Sequence, residues 1–494
     1  MKSYIQLEQI MDQVNHIDNV MSLLYWDISV NMPKGSADSR TRDIITLNSL
    51  IERKLKSGQT IDLLNQAQAD SADLNEWQLA NLRLIDRKIT KTMLVDDALR
   101  ARYITATSRC ELAWREARAG DDYEALKPYL KEVLNCVQEI ARVKSQKFNC
   151  SPYNALLDEY DPGSTSEEIK VIFTNLKKNL PGLIKEVQDK QKYESVIQPT
   201  EMDPAQQKLI AKKIVEVMGF DLTKGRLDES EHPFCQGNPD DIRLTSRYDK
   251  NDFLSGIMSV MHEAGHGLYE QNLPISYRNQ FVGMANGLAI HESQSLLMEM
   301  QVGRSKEFMQ YFAKILRDDF QCRGPEYSSD NLYKLVTRVK PDFIRVDADE
   351  VTYPMHVILR YEIEEALISG DMSLDDLPFY WNQKISEYLG INCPSNKLGC
   401  LQDIHWPLGN FGYFPTYSKG AIIAAMVMRT INDNIRQELS VGKFENLNQI
   451  LNAKIRNLGS LKSTHNMIRD MTGEEKINSD IFLTYLKQKY LTIL

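Results

Sequence analysis

The five residues His262-Glu263-Ala264-Gly265-His266 constrain this chain more than any other feature. Two histidines four positions apart share one face of a helix, so both imidazoles can reach a single Zn²⁺. The Glu between them points beside the metal, where it can take a proton from an activated water. A site of this kind needs a rigid, packed helix, and the flanking residues read that way. Phe253, Ile257, Met261, Gly265 and Leu268 recur every three or four positions, which gives the helix an apolar side. Asn251 or Asp252 supplies the N-cap, and Pro274 stops the run just after Gln271 and Asn272.

Two His leave a catalytic zinc one protein ligand short of three. The stretch after His266, Gly-Leu-Tyr-Glu-Gln-Asn, holds no further His. The next candidates, His291 and Glu292, lie in a second helical pattern from about Gly287 to about Val302, whose apolar positions include Leu288, Ile290, Leu296, Leu297, Met298 and Met300. Neighbouring residues on a helix point about 100° apart, so only one of the two ligates. Glu292 is favoured, because two imidazoles and one carboxylate form an established catalytic set. His291 is then a supporting or substrate contact, or a packed His. Of the 8 His, six fall between residues 232 and 405, which marks the middle of the chain as the chemical part.

With 494 residues the chain can bury a large core, yet no Pro/Gly/Ser-rich linker, low-complexity tract or internal repeat divides it. Helical periods dominate, as in Gln6–Leu24, Arg42–Leu55, Glu76–Thr90 and Tyr123–Lys147. One large helical body is expected, a single domain over 1–494 with a helical N-terminal part (1–150) and the chemical motifs in 225–420. Two short strands, Glu231–Cys235 and Asp241–Thr245, are expected just before the motif helix. A net charge of −9 argues against a nucleic-acid partner. No run of 18 apolar residues and no signal-peptide core is present, so no membrane partner is expected. The 7 Cys are dispersed, odd in number and lack a C-x-x-C pair, the pattern of reduced thiols in a cytoplasmic protein.

Further motifs follow in order. They are His232-Pro233-Phe234, Asp241-Ile242-Arg243-Leu244-Thr245, His262 to His266, and His291-Glu292-Ser293-Gln294. Then come Ile344-Arg345-Val346-Asp347-Ala348-Asp349 and Gly399-Cys400-Leu401-Gln402-Asp403-Ile404-His405-Trp406, with Trp26-Asp27, Met32-Pro33 and Gly35 near the start. Together they resemble the Taq-type (thermostable carboxypeptidase) zinc metallocarboxypeptidases over essentially the whole chain. The resemblance implies a mostly α fold, a saddle-shaped body with a deep central cleft, a zincin-type HExxH helix and a small β-sheet beside the active site. It also implies a homodimer and zinc-dependent release of single C-terminal residues from peptides, with broad side-chain tolerance. Residue by residue it puts one Zn²⁺ per subunit on His262, His266 and Glu292, a set that serves Co²⁺ as well, and the catalytic glutamate on Glu263.

The oxyanion of such a reaction needs a donor besides the metal, and the segment 405–417 offers His405, Tyr413 and Tyr417. Its Gly-x-x-x-Tyr character resembles the mobile tyrosine loop of thimet-type oligopeptidases. Buried aromatics with satisfied hydroxyls are the plain alternative for either Tyr. An exopeptidase must also hold a free carboxylate, which a guanidinium does bidentately. Arg345 is the first candidate clamp, Arg243 the second, and His232 a further substrate contact. For both Arg, burial against Asp347, Asp349 or Asp241 competes. The helix expected from Glu350 to about Ser369 carries His356, a core or cleft residue. Two other functions remain open. A thimet-like oligopeptidase or dipeptidyl carboxypeptidase would lack the clamp, and a non-catalytic helical protein with structural zinc would need a fourth ligand.

Overall fold

A computed structural model describes residues 1–492. They are mostly helical, with one three-stranded sheet. The amphipathic runs fold as their periods dictate, into helices Lys2–Val30, Ala37–Leu55, Glu76–Leu94 and Tyr123–Phe148, each of which contains and extends its periodic stretch. Among the described residues no helix is long and apolar enough to cross a membrane. The chain divides into two compact units. One comprises residues 1–93, 196–336 and 427–475, the other residues 94–195, 337–426 and 476 onward.

In the first unit, Tyr4, Leu7, Met11 and Val14 of the opening helix pack with Leu63, Leu64, Ile85 and Ile89 in one apolar cluster. The sheet precedes the motif helix. Strand β1 (Gly225–Glu229) pairs in parallel with β3 (Asp241–Ser246), which also pairs antiparallel with β2 (Cys235–Asn238). The sequence pattern foresees two strands here, and the sheet has three. Residues 231–234 form the approach to β2, of which only Cys235 was foreseen as strand, while β1 carries no apolar alternation and is stabilised by its tertiary partner. Central β3 buries Ile242 and Leu244 completely and packs against the HExxH helix, Phe253–Gln271.

Asp252 caps that helix by accepting from the Ser255 N–H. The helix is buried far beyond one stripe, and Val260, Ala264 and Tyr269 are buried as well as the predicted apolar positions. Glycines permit this, since a Cβ at Gly265 would strike backbone of the following helix, Leu288–Leu296. That second helix does not run regularly to Val302. It widens into a π-helical turn over Leu297–Gly303.

In the second unit, helix Tyr353–Ser369 is buried along nearly its whole length, including Arg360 and Glu364. Arg345 sits in a short 3₁₀ turn, Arg345–Asp347. Residues 405–414 form turns before the helix that starts at Pro415. Glu364 anchors them by accepting from Trp406 Nε1 at 2.8 Å, the Gly412 N–H at 2.9 Å and the Tyr153 hydroxyl at 2.8 Å.

Candidate active site

The i, i+4 spacing on the HExxH helix aims His262 and His266 the same way, and the second helix brings Glu292 to them. Glu292 Oε2 lies 3.4 Å from His266 Nε2 and 3.8 Å from His262 Nε2. All three ligating atoms fall within 4.8 Å of one another. An ion held tetrahedrally at about 2.0–2.2 Å sets its ligand atoms roughly 3.4 Å apart, and the two separations to Glu292 are close to that value. His291 is turned elsewhere. Its Nε2 meets Glu270 at 2.8 Å, and its ring stacks on His266 with centroids 4.5 Å apart.

The electrostatics also suit a cation. Glu263, Glu292 and Glu299 surround two imidazoles in a mostly buried setting. Burial lowers His262, but the three carboxylates outweigh it and hold the imidazole up at about 10. Burial and the neighbouring His291 push His266 down to about 4. Burial raises Glu263 to about 7, against the pull of His262. Burial acts the same way on Glu292, where His262 and His266 reverse it and leave the carboxyl below its usual range. The pocket thus stabilises one positive charge, which a bound metal would carry in place of a proton.

Around this group stand residues that the motifs did not single out. His262 Nδ1 meets Glu299 Oε2 at 2.9 Å, and Arg304 Nη2 donates to Glu299 Oε1 at 2.6 Å. Cys235 of β2 lies near enough to Glu263 and Glu270 for their charges, added to burial, to hold its thiol well above the usual range. Arg243 donates from Nε and Nη2 to Asp241 at 3.1 and 2.9 Å, and its guanidinium lies 4.2 Å from the Trp26 ring centre. This is the Asp241 pairing foreseen as the alternative to a substrate role. His232 is exposed in the approach to β2.

In the second unit, Arg345, His405, Tyr413 and Tyr417 form one cluster. Arg345 is buried, but its partner is Asp403 and not Asp347 or Asp349. Nε and Nη2 both donate to Asp403 Oδ1 at 3.2 Å, with the guanidinium 4.7 Å from the Tyr417 ring centre. Arg360, wholly buried, holds Asp403 Oδ2 through Nε at 2.7 Å. These two guanidiniums overcome the upward push of burial and keep the Asp403 carboxyl far below its ordinary value. Asp349 instead accepts from the backbone N–H groups of Lys340, Val351 and Thr352. His405 Nε2 lies 3.2 Å from the Tyr417 hydroxyl, and the Tyr413 and Tyr417 rings are 5.2 Å apart. Burial, with Arg345 adding to it, drives His405 down to about 3, so its ring is neutral. His356 is buried beside Arg360, whose Nη1 donates to the His356 carbonyl at 2.7 Å. Nothing in its sequence set Arg360 apart from the other charged residues of its helix, Glu362, Glu364 and Glu365.

Known proteins resemble the chain throughout. The profile of the carboxypeptidase Taq (M32) metallopeptidase family matches residues 6–490. Carboxypeptidase 1 of Bacillus subtilis is 32% identical over 486 residues, covering 97% of this chain and 96% of that one. Thermostable carboxypeptidase 1 of Thermus thermophilus is 33% identical, covering 99% of each chain. Among solved structures, Trypanosoma cruzi metallocarboxypeptidase 1 superposes with a TM-score of 0.96 at 35% identity, covering 99% of this chain and 100% of that one.

Proposed function

Because the chain belongs to the carboxypeptidase Taq (M32) metallopeptidase family and is a metallocarboxypeptidase, we propose that it releases single C-terminal residues from peptides with broad side-chain tolerance, using one Zn²⁺ or Co²⁺ held by His262, His266 and Glu292. The observation that carries this reading is the convergence of two imidazole Nε2 atoms and one carboxylate oxygen around a space that favours positive charge, with Glu263 beside it. A divalent cation bound there supplies Lewis acidity to water and to the scissile carbonyl.

The chain's own groups do the rest. A carboxylate oxygen of Glu263 accepts the proton of the attacking water and passes it to the leaving amine. Glu292 neutralises part of the cation's charge and aligns the two imidazoles. His405, with its neutral ring, and the hydroxyls of Tyr413 and Tyr417 are the candidate donors to the developing oxyanion. Arg345 is the candidate contact for the terminal carboxylate. Since Asp403 occupies Nε and Nη2, Arg345 offers its remaining Nη1 edge and not a full fork. Arg243 and His232 are secondary contacts. A single functional domain over 1–494, a homodimer and a cytoplasmic setting belong to the same reading.

The test uses N-blocked tripeptides as free acids and as amides, with metal-stripped protein and protein reloaded with Zn²⁺ or Co²⁺, and products identified by mass. Single amino acids should leave the free acids only after reloading, and amides should resist. Equal cleavage of amides, or release of dipeptides, would favour the oligopeptidase reading.

A further inference from the structure

Glu299 belongs to none of the motif positions assigned a role, yet its side chain is only 13% exposed and lies within 2.9 Å of a proposed metal ligand. Its placement follows from the second helix. Glu299 lies seven residues after Glu292 on the same helical run, and both carboxylates meet the HExxH helix. The second is carried by the π-helical turn Leu297–Gly303, a rare geometry that is frequent at functional sites. Glu292 approaches His262 from the Nε2 side and Glu299 from the Nδ1 side. Arg304, closing the same segment, donates to Glu299 Oε1 at 2.6 Å and fixes the carboxylate from behind.

We infer that Glu299 is a positioning residue for His262. A carboxylate can only accept, so the contact places the imidazole proton on Nδ1 and leaves the Nε2 lone pair for the cation. It also locks the ring's rotation, which a short-lived contact with solvent would not. His266 is held differently. Among the described residues its Nδ1 has no hydrogen-bond partner, and its ring is steadied by stacking on His291, itself tied to Glu270. The site is therefore asymmetric. His262 is the oriented ligand, and the chain Arg304–Glu299–His262 is its support, as outer carboxylates support metal-bound histidines generally.

This inference rests on His262 being a ligand at all, so the experiment includes His262→Ala. Zn²⁺ affinity is measured by competition with a chromophoric chelator for the full-length wild type, Glu299→Gln, Glu299→Ala and His262→Ala. The visible spectrum of each Co²⁺-loaded protein is recorded as well. Loss of an outer-shell partner costs about 10- to 100-fold in metal affinity. Glu299→Gln, which keeps an acceptor but not the charge, should sit near the lower figure and Glu299→Ala near the upper. Both should shift the Co²⁺ bands, because the ligand ring is free to turn. If Glu299→Ala does not fold, the isosteric Gln variant carries the test. Affinities and Co²⁺ spectra within twofold and unshifted for Glu299→Gln, with metal lost in His262→Ala, would overturn the positioning role alone. Metal retained in His262→Ala would overturn the metal site itself.

Discussion

Gly265→Ala should weaken metal binding as well as strain the fold. The glycine sits between the two histidines of the motif, where the HExxH helix crosses the helix bearing Glu292. A Cβ there would lie 2.5 Å from Gln294 O and 2.6 Å from Ser295 Cα. Both are backbone atoms, so no side chain can swing aside, and real Cβ contacts shorter than 3.0 Å are essentially never seen. The two helices must separate locally by roughly 0.5 to 0.9 Å, and Gln294 and Ser295 follow Glu292 directly enough to carry it along. Metal–ligand distances tolerate only about 0.2 Å. Overpacking costs about 1–3 kcal/mol, while replacing a mid-helix Gly by Ala returns up to about 1 kcal/mol. Stability should therefore fall by about 0–3 kcal/mol, and Zn²⁺ affinity should fall at least about tenfold. Chelator competition gives the affinity, and denaturant melts of the metal-free protein give the stability. Wild-type affinity in a folded Gly265→Ala protein would refute the claim that close helix approach sets the ligand geometry.

Three further outcomes follow from the second unit's charges. Arg345→Ala should lose about 2–5 kcal/mol in kcat/KM on free-acid peptides, roughly 30- to several-thousand-fold, and far less on amides. Arg345→Lys should restore part of this, because a point charge replaces a planar edge. An equal loss on acids and amides, with lowered stability, would make Arg345 only a partner of Asp403. Asp403→Asn, which strands two buried guanidiniums, should cost about 3–5 kcal/mol in denaturant unfolding at neutral pH. The sign with pH is fixed. The folded Asp403 carboxyl is held below its ordinary 3.8, so its contribution is complete above that value and is lost as pH falls below it. The gap between wild type and Asp403→Asn should narrow in acid and stay constant from pH 5 to 8; a gap independent of pH throughout would contradict the pairing.

What could be read from sequence was what repeats or has fixed spacing. Asp252 caps the HExxH helix as its residue type and position suggest, and Phe253, Ile257, Met261 and Leu268 are buried as their period requires. Helix geometry left one of His291 and Glu292 to face the two histidines, ligand chemistry favoured Glu292, and its carboxylate lies with the two imidazoles. What was not legible depends on distant partners. Strand β1, Gly-Arg-Leu-Asp-Glu, has no local strand signal and forms on β3. Nothing in Leu297–Gly303 marks a π turn, since its residues would suit an α-helix, and so the position of Glu299 could not be placed. Sequence nearness pointed Arg345 at Asp347 or Asp349, but Asp349 is occupied by backbone N–H groups and the guanidinium reaches Asp403 instead.

Glu263→Gln separates proton transfer at Glu263 from metal binding at its neighbours. The amide keeps the shape of the side chain and leaves His262, His266 and Glu292 in place, but it cannot accept the water's proton. Metal content by mass spectrometry or atomic absorption, measured beside single-residue release from a blocked tripeptide, separates the two roles. Metal stoichiometry should equal wild type, with kcat lower by orders of magnitude. Near-normal turnover with metal bound would contradict proton transfer at Glu263.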